Sequence, residues 1–238
     1  MRVLGVLLCG MFAGTCHGGA RLDHFHWNGH IAAGQTLEIL GFSGDVRAER
    51  AAGKDVEVFA VRRGSRPERV KIDVMDRDGG ITVAAVYPSR FSDDGTTVDF
   101  MVRVPEGVRL VARTVNGGVS AAGLASDIEA HTLNGRIEIE TSKSALAETI
   151  NGSIVASVGE VRQDGGRAFT SVNGSVVVDF PALFDAELDV ETLNGDIRSE
   201  LPCPMAHGSR RLRGTMGHGG PVVSVRTSNG NVWLLRTV

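Results

Sequence analysis

The sequence repeats a short unit built around the dipeptide Asn-Gly. Seven Asn-Gly pairs occur, and in the last six a Thr or Ser stands two residues before the Asn, while Ile or Val stands two residues after the Gly. These six pairs are Asn116 and Gly117, Asn134 and Gly135, Asn151 and Gly152, Asn173 and Gly174, Asn194 and Gly195, and Asn229 and Gly230. Successive asparagines are 18, 17, 22, 21 and 35 residues apart. Near-copies at this spacing indicate a repeat architecture, in which each copy stacks on its neighbours.

The residue types of the unit predict strand, sharp bend, strand. Asn tolerates a left-handed backbone and Gly has no Cβ, so we expect the bend at this pair. The β-branched neighbours favour extended structure. Around Asn134, apolar residues alternate with polar ones: Ile128, Ala130 and Thr132 share one face before the bend, and Ile137 and Ile139 share one after it. This period of two predicts an all-β protein.

Two all-β architectures fit the unit. In an array of antiparallel hairpins, each Asn-Gly would form a two-residue type I′ turn. In a single-stranded parallel β-helix, or β-solenoid, each Asn-Gly would form a corner and each repeat one coil. Repeats of about 20 residues are short for a propeller blade and suit one coil of short strands. We therefore predict a right-handed β-solenoid, with the hairpin array as the alternative.

The composition supports a thin, regular core. The chain of 238 residues has 31 Gly but only 2 Trp, 1 Tyr and 9 Phe, and 42% of its residues are hydrophobic. The 25 basic and 28 acidic residues nearly balance, giving a net charge of −3. Disordered chains combine low hydrophobicity with high net charge, and nucleic-acid-binding domains carry a basic excess, so neither class is expected.

The first 20 residues predict a secretory signal peptide. Arg2 precedes a short apolar run, 3–13, and small residues lead up to Ala20. The run is too short to span a membrane as a helix. Cys16 raises the possibility of lipidation, but the Leu expected three residues before a lipidated Cys is absent. We therefore expect export to the periplasm, the outer surface or the medium, without a transmembrane anchor.

The remainder, residues 21–238, is predicted to form one β-solenoid domain. Residues 21–110 would form irregular coils, with Ser43 and Gly44 as a degenerate copy of the bend, and residues 111–238 the regular coils. The later coils are expected to stack directly on the earlier ones. Open ends of such a stack would recruit other strands, so we predict that residues 21–33 or residues 231–238 cover an end.

Three segments resemble a bacterial adhesin family of β-strand repeats, a domain of unknown function. The stretch from Val98 to Val119 has the family's strand, Pro-x-Gly turn and first Asn-Gly coil in order, and Arg213 to Leu234 is similar to its last coil. The segment from Gln35 to Ala60 is a weaker match. The resemblance implies a parallel β-helix in the cell envelope or outside the cell. It supplies no catalytic residues.

Candidate sites outside the repeat are few. His24, His26 and His30 have a spacing that could place imidazoles on one strand face, but four ligands are usual for structural zinc, so no metal site is predicted. Cys203, between two prolines, is interpreted as an incidental thiol. No catalytic residue or cofactor is predicted.

The strongest candidate for binding is the insertion 199–221, the longest in the repeat. Its three arginines, Arg210, Arg211 and Arg213, could bind phosphate or carboxylate groups of envelope polymers. We predict a non-enzymatic exported envelope protein, an adhesin or surface scaffold whose partner is an envelope polysaccharide or another surface protein. The alternatives are a glycan-active enzyme on a β-helix and a ligand-sensing module that uses this insertion.

Overall fold

The structure is a computed structural model and describes residues 20–77, 79–88, 95–161, 167–202 and 210–237. The predicted signal peptide, Cys16 and Cys203 lie outside these ranges.

The protein is all-β, as the period of two predicts. Within the described ranges the only helical element is a short 3₁₀ turn, Pro67–Arg69. The twenty strands are β1 (Arg21–His30), β2 (Thr36–Leu40), β3 (Val46–Arg50), β4 (Asp55–Gly64), β5 (Lys71–Arg77), β6 (Gly80–Val86), β7 (Thr97–Val104), β8 (Arg109–Arg113), β9 (Val119–Leu124), β10 (Ile128–Asn134), β11 (Ile137–Thr141), β12 (Ala145–Asn151), β13 (Ile154–Val158), β14 (Arg167–Asn173), β15 (Val176–Phe180), β16 (Ala186–Asn194), β17 (Ile197–Ser199), β18 (Arg211–Met216), β19 (Val222–Asn229) and β20 (Val232–Arg236).

The strands form two sheets of ten strands each, which we call sheet A and sheet B. Sheet A has the order β1-β4-β7-β3-β9-β11-β13-β15-β20-β17, and sheet B has the order β18-β16-β19-β14-β12-β10-β8-β2-β6-β5. Both sheets are mixed: the repeat strands pair in parallel, whereas β1, β4, β5 and β18 form antiparallel pairs. The prediction of parallel strands therefore holds for the repeat and is wrong for both ends.

Each of the last six Asn-Gly pairs carries the chain from sheet B to sheet A, whereas Asn28 and Gly29 lie inside β1. Strand β10, before Asn134, belongs to sheet B, and β11, after Gly135, belongs to sheet A. The two strands that flank an Asn-Gly do not pair with each other, so the hairpin alternative is wrong. We call a sheet B strand, its corner and the following sheet A strand a rung.

Equivalent residues of neighbouring rungs lie side by side. Thr132 pairs with Thr149 and Asn134 with Asn151 in the parallel register of β10 and β12. Most inward residues of both sheets are small or aliphatic and buried, among them Ala130, Ile137 and Ile139. The degenerate pair Ser43 and Gly44 is also a corner, because Ser43 bridges to Asn116 in parallel.

The rungs do not stack in chain order. The last rung in the sequence, β19 and β20, lies between the β14–β15 rung and the β16–β17 rung. The expectation that each coil stacks on the preceding one is wrong here. The β16–β17 rung does not pair with the β14–β15 rung that precedes it in sequence. Strand β18 then runs antiparallel along the edge of β16, and β19 and β20 lie between the two earlier rungs.

This order decides which segments cover the ends. Strand β1 is the outermost strand of sheet A, as predicted for residues 21–33. Residues 231–238 do not cover an end, since β20 pairs with β15 on one side and with β17 on the other. That part of the prediction is wrong, and β18 covers the edge of β16 instead.

The interior position of β20 predicts a large cost for truncating its core residue. Leu234 is fully buried, so Leu234→Ala should lower the free energy of unfolding by about 2–5 kcal/mol, as large-to-small core substitutions do. Leu235→Ala, on the outer face of the same strand, is the control and should cost less than about 1 kcal/mol. Denaturant unfolding measures both, and equal small losses would contradict an interior β20.

Candidate functional site

The asparagines of the corners form a continuous hydrogen-bonded ladder. In five of the six rungs the side-chain Nδ2 donates to the Oδ1 of the asparagine in the adjacent rung. The donor–acceptor pairs are Asn134 to Asn116 (2.8 Å), Asn151 to Asn134 (2.7 Å), Asn173 to Asn151 (2.8 Å), Asn229 to Asn173 (2.8 Å) and Asn194 to Asn229 (2.9 Å). A primary amide has two N–H groups and two acceptor lone pairs, so each internal rung keeps one donor and one acceptor position outside the ladder.

A second ladder, inside the first, explains the Thr or Ser of the repeat. The hydroxyl two residues before each Asn is buried and donates to the Gly carbonyl of an adjacent rung. These bonds join Thr114 to Gly44 (3.1 Å), Thr132 to Gly117 (2.8 Å), Thr149 to Gly135 (3.1 Å), Ser171 to Gly152 (2.8 Å), Thr227 to Gly174 (2.7 Å) and Thr192 to Gly230 (2.8 Å). Sequence reasoning placed these residues on the inner face but missed this role, although their sixfold recurrence was a signal for it.

The glycines are required by the close approach of neighbouring corners. A Cβ on Gly135 would collide with the carbonyl oxygen of Gly117, and one on Gly152 with that of Gly135. The expected left-handed asparagine is wrong, because every positive φ in the described ranges belongs to a glycine. The corner needs Gly for space against the Gly117 rung, and on the opposite side the Gly135 N–H donates to the Asn151 carbonyl (3.0 Å).

A row of exposed aliphatic side chains lies beside the asparagine ladder. The residue between each Thr or Ser and its Asn points outward, and the largest of these are 38–57% exposed: Leu133, Ile150, Val172 and Leu193. Phe42 continues the row at the Ser43 corner, with 46% of its surface exposed. Strands repeat about every 4.8 Å, so the row extends for about 30 Å. We call the asparagine ladder and this row the corner surface.

The middle of the corner surface carries little unpaired charge. At the Ile150 and Val172 rungs the outward groups are an aliphatic side chain and an amide, followed by Ser153 and Ser175. At the Leu133 rung the equivalent residue is Arg136, which pairs with Glu138 at 2.6 Å. Contiguous exposed apolar side chains bordered by polar groups are typical of an interaction site. The corners are predicted from sequence as structural only, and the signal for a surface is the aliphatic residue that precedes most of the asparagines.

An ion-pair cluster lies near this surface on the outer face of sheet B. Glu129 accepts hydrogen bonds from Arg109 (2.6 Å) and Arg113 (2.8 Å), and His131 lies between Glu129 (2.8 Å) and Glu148 (3.1 Å). Burial opposes ionisation of Glu129, but the hydrogen bond and charge of His131, together with Arg109, lower its pKa below the ordinary value. These charges are paired with one another across three strands, so the cluster links the sheet.

The predicted arginine cluster is divided between β18 and the residue before it. Arg211 and Arg213 lie on β18 and reach Asp189 of β16 at 3.4 and 3.1 Å, whereas Arg210 is exposed just before the strand. Arg226 joins them, 3.1 Å from the same carboxylate. Sequence reasoning missed Arg226 because its strand lies beside β16 only through the altered rung order.

These arginines control the ionisation of Asp189. Burial of the carboxyl group raises its pKa, but hydrogen bonds from Arg213 and Arg226 and the charges of Arg213 and Arg211 outweigh this and hold the pKa below the ordinary value. The arrangement attaches β18 to the end of sheet B and leaves three guanidinium groups around one carboxylate.

The three histidines of β1 do not converge. His26 stacks on Phe59, with ring centroids 4.3 Å apart and planes 11° apart, and His30 contacts Asp55 at 3.2 Å. In the part of the chain that the structure describes, no three His, Cys, Asp or Glu side chains are grouped so as to hold a metal ion. A search of the same part finds no helix long and apolar enough to cross a membrane.

Comparison with known proteins relates the fold to a bacterial protein named as a cell adhesion protein. No family model matches the sequence, and no curated protein matches it. Among solved structures, a "putative cell adhesion protein" from Clostridium sporogenes is similar over 90% of this chain and 100% of its own, with 10% identity and a TM-score of 0.52. A "putative adhesin" from Bacteroides fragilis covers 90% of this chain and 97% of its own, with 10% identity and a TM-score of 0.44. At this identity, the likeness to the Clostridium sporogenes protein shows a shared fold.

The close approach of the corners predicts that glycine is irreplaceable in the middle of the stack. Gly152→Ala would force a methyl group against the Gly135 carbonyl and should lower the free energy of unfolding by about 1–3 kcal/mol or more, as overpacking does. Gly53→Ala is the matched control, because a Cβ there meets nothing within 4 Å. Thermal and urea unfolding compare the two, and equal stability of both variants would contradict the stacking.

The lowered pKa of Asp189 predicts a specific acid sensitivity. Folding favours the ionised form of Asp189, so this group stabilises the protein at pH values above the ordinary aspartate pKa of 3.8. The contribution is lost as the pH falls through the lower pKa that Asp189 has in the folded state. Asp189→Asn should therefore lower stability at neutral pH, and the difference from the parent should shrink under acid conditions. Urea unfolding across pH measures this. Glu140→Gln, an exposed neutralisation elsewhere, should leave the pH profile closer to that of the parent.

Proposed function

We propose that this protein is an exported, non-enzymatic module of the bacterial cell envelope, an adhesin or surface scaffold whose rungs form a β-solenoid. Parallel register between equivalent residues of successive rungs supports the solenoid. The names of similarly folded bacterial proteins support the surface role. An N-terminal segment with the features of a signal peptide supports export.

The observation that carries this proposal is the corner surface. It is long, narrow and regular, with one aliphatic side chain and one amide in most rungs. An extended, uncharged polysaccharide has matching chemistry, since its sugar rings present apolar C–H faces and hydroxyl groups that both donate and accept hydrogen bonds. Each amide of the ladder keeps a donor and an acceptor position for such hydroxyls. Ser153 and Ser175 at two central rungs, and the pairing of Arg136 with Glu138 at the third, favour a neutral polymer over a charged one.

Binding should depend on the aliphatic row. The triple variant Leu133→Ser, Ile150→Ser and Val172→Ser keeps the ladder residues but removes the apolar contacts. We expect at least about a tenfold loss of affinity for neutral envelope polysaccharide, equivalent to about 1.4 kcal/mol and modest for three apolar side chains. Co-sedimentation with purified envelope glycan measures the binding, and circular dichroism checks the fold.

The matched control changes three exposed apolar residues away from the corner surface, Leu22, Leu183 and Val222. Their replacement by Ser should leave binding unchanged. Equal retention of both triple variants would contradict the proposed surface. Release of new reducing ends during the assay would contradict the non-enzymatic assignment and favour the glycan-active alternative.

A second candidate function is binding of anionic polymers by the arginines near the end of the stack. Three guanidinium groups, from Arg211, Arg213 and Arg226, surround the single carboxylate of Asp189, and Arg210 extends the positive region. Replacing Arg210, Arg211 and Arg213 by Ala should weaken retention on phosphate- or carboxylate-bearing polymers, most strongly at low salt. Unchanged retention at low salt would exclude this candidate. The result of this experiment does not depend on the aliphatic row.

A further inference from the structure

The Asn-Gly dipeptide carries a reactivity of its own. The backbone nitrogen of the Gly can attack Cγ of the preceding Asn, because no Gly side chain hinders the approach. The attack closes a five-membered succinimide and expels ammonia. Water then opens the ring to leave either aspartate or isoaspartate. Thermolabile asparagine is a known liability of long-lived proteins, and this chain repeats the susceptible pair in every regular rung.

Stacking protects most corners from this reaction. A corner is protected when another rung lies on the side toward which its Gly N–H points. There, the attacking nitrogen is occupied, because the Gly N–H donates to the Asn carbonyl of the adjacent rung. These bonds join Gly117 to Asn134, Gly135 to Asn151, Gly152 to Asn173, Gly174 to Asn229 and Gly230 to Asn194, each at 3.0 Å. The same asparagines accept a ladder hydrogen bond on Oδ1, which limits rotation of the amide toward the backbone.

The β16–β17 rung lacks both protections. Asn194 donates to Asn229, but its Oδ1 accepts nothing from the residues that the structure describes. Within the same ranges, the Gly195 N–H has no acceptor. This rung is the outermost of the repeat, and β17, with three residues, is the last strand of sheet A. Asn194 is exposed, so water reaches it.

We propose that Asn194 is a spontaneous modification site, at which this protein deamidates through a succinimide, while the other five corners of the ladder are protected by their rungs. The reaction needs only water. It replaces the amide that donates to Asn229 with a carboxylate that cannot donate. It also adds a negative charge two residues before Asp196 and three residues after Glu191. Isoaspartate further lengthens the backbone between β16 and β17 by one atom, which disturbs the outermost rung.

The test follows all six corners in one sample of the full mature chain. The folded protein is held at mildly alkaline pH, well below its unfolding temperature, and then digested for peptide mass spectrometry that separates Asn, Asp and isoaspartate. We expect the Asn194 peptide to convert about ten times faster than any of the other five, a ratio equivalent to about one protecting hydrogen bond. Equal rates at all six corners, or faster conversion at an inner corner, would overturn the proposal.

Two controls separate protection by the stack from the local sequence. In denaturant, the difference between Asn194 and the other corners should shrink to a few-fold, and persistence of the full ratio would overturn the structural explanation. Asn194→Asp mimics the aspartate product and should unfold at a lower temperature than the parent. Asn194→Gln keeps an amide but disfavours the five-membered ring, so no deamidation should accumulate at that corner in the folded protein.

Discussion

Neighbouring rungs pack backbone against backbone at the Asn-Gly corner, and the rest of the repeat depends on this packing. Only a residue without Cβ lets one corner lie against the carbonyl of the next. That distance brings the buried Thr hydroxyl within reach of the same carbonyl and brings the Asn amides into a ladder. A larger residue at the glycine would separate all three contacts at once. The repeat therefore behaves as one coupled unit rather than as independent hydrogen bonds.

Fixed spacing at the corners also determines the core. Because equivalent residues lie side by side, each inward position forms a column of similar side chains across the sheet. Small and β-branched residues fill the narrow space between the sheets, and the few large ones, such as Phe100, Phe169 and Phe180, are fully buried. The low aromatic content thus reflects a shallow interior. The outward positions are released from this constraint, which leaves room for an aliphatic row beside the ladder.

The parts of the fold that could be predicted from sequence are those with local causes. Alternation along β10 and β11 predicts their inner faces, and the degenerate pair at Ser43 and Gly44 is recognisable as a corner. The rung order is not predictable in this way, because every regular rung offers its neighbours the same edge. By its sequence pattern, β16 would fit beside β14 as well as β19 does. The contact of Arg226 with Asp189 is unpredictable for the same reason, since it exists only because β19 lies beside β16.

The insertion of β19 and β20 bears on how the molecule can be assembled. Until residue 236 is available, the place between β15 and β17 is vacant, and the β16–β17 rung has no neighbour on its inner side. A stack that grows from the N-terminal rungs can therefore reach its final order only when the last residues of the repeat are in place. A chain that crosses a membrane as a thread would complete this region only after its C-terminal strands had emerged. Closure then joins contacts 56 residues apart in one step, as between Asn173 and Asn229, so this end of the protein should be the slowest to form.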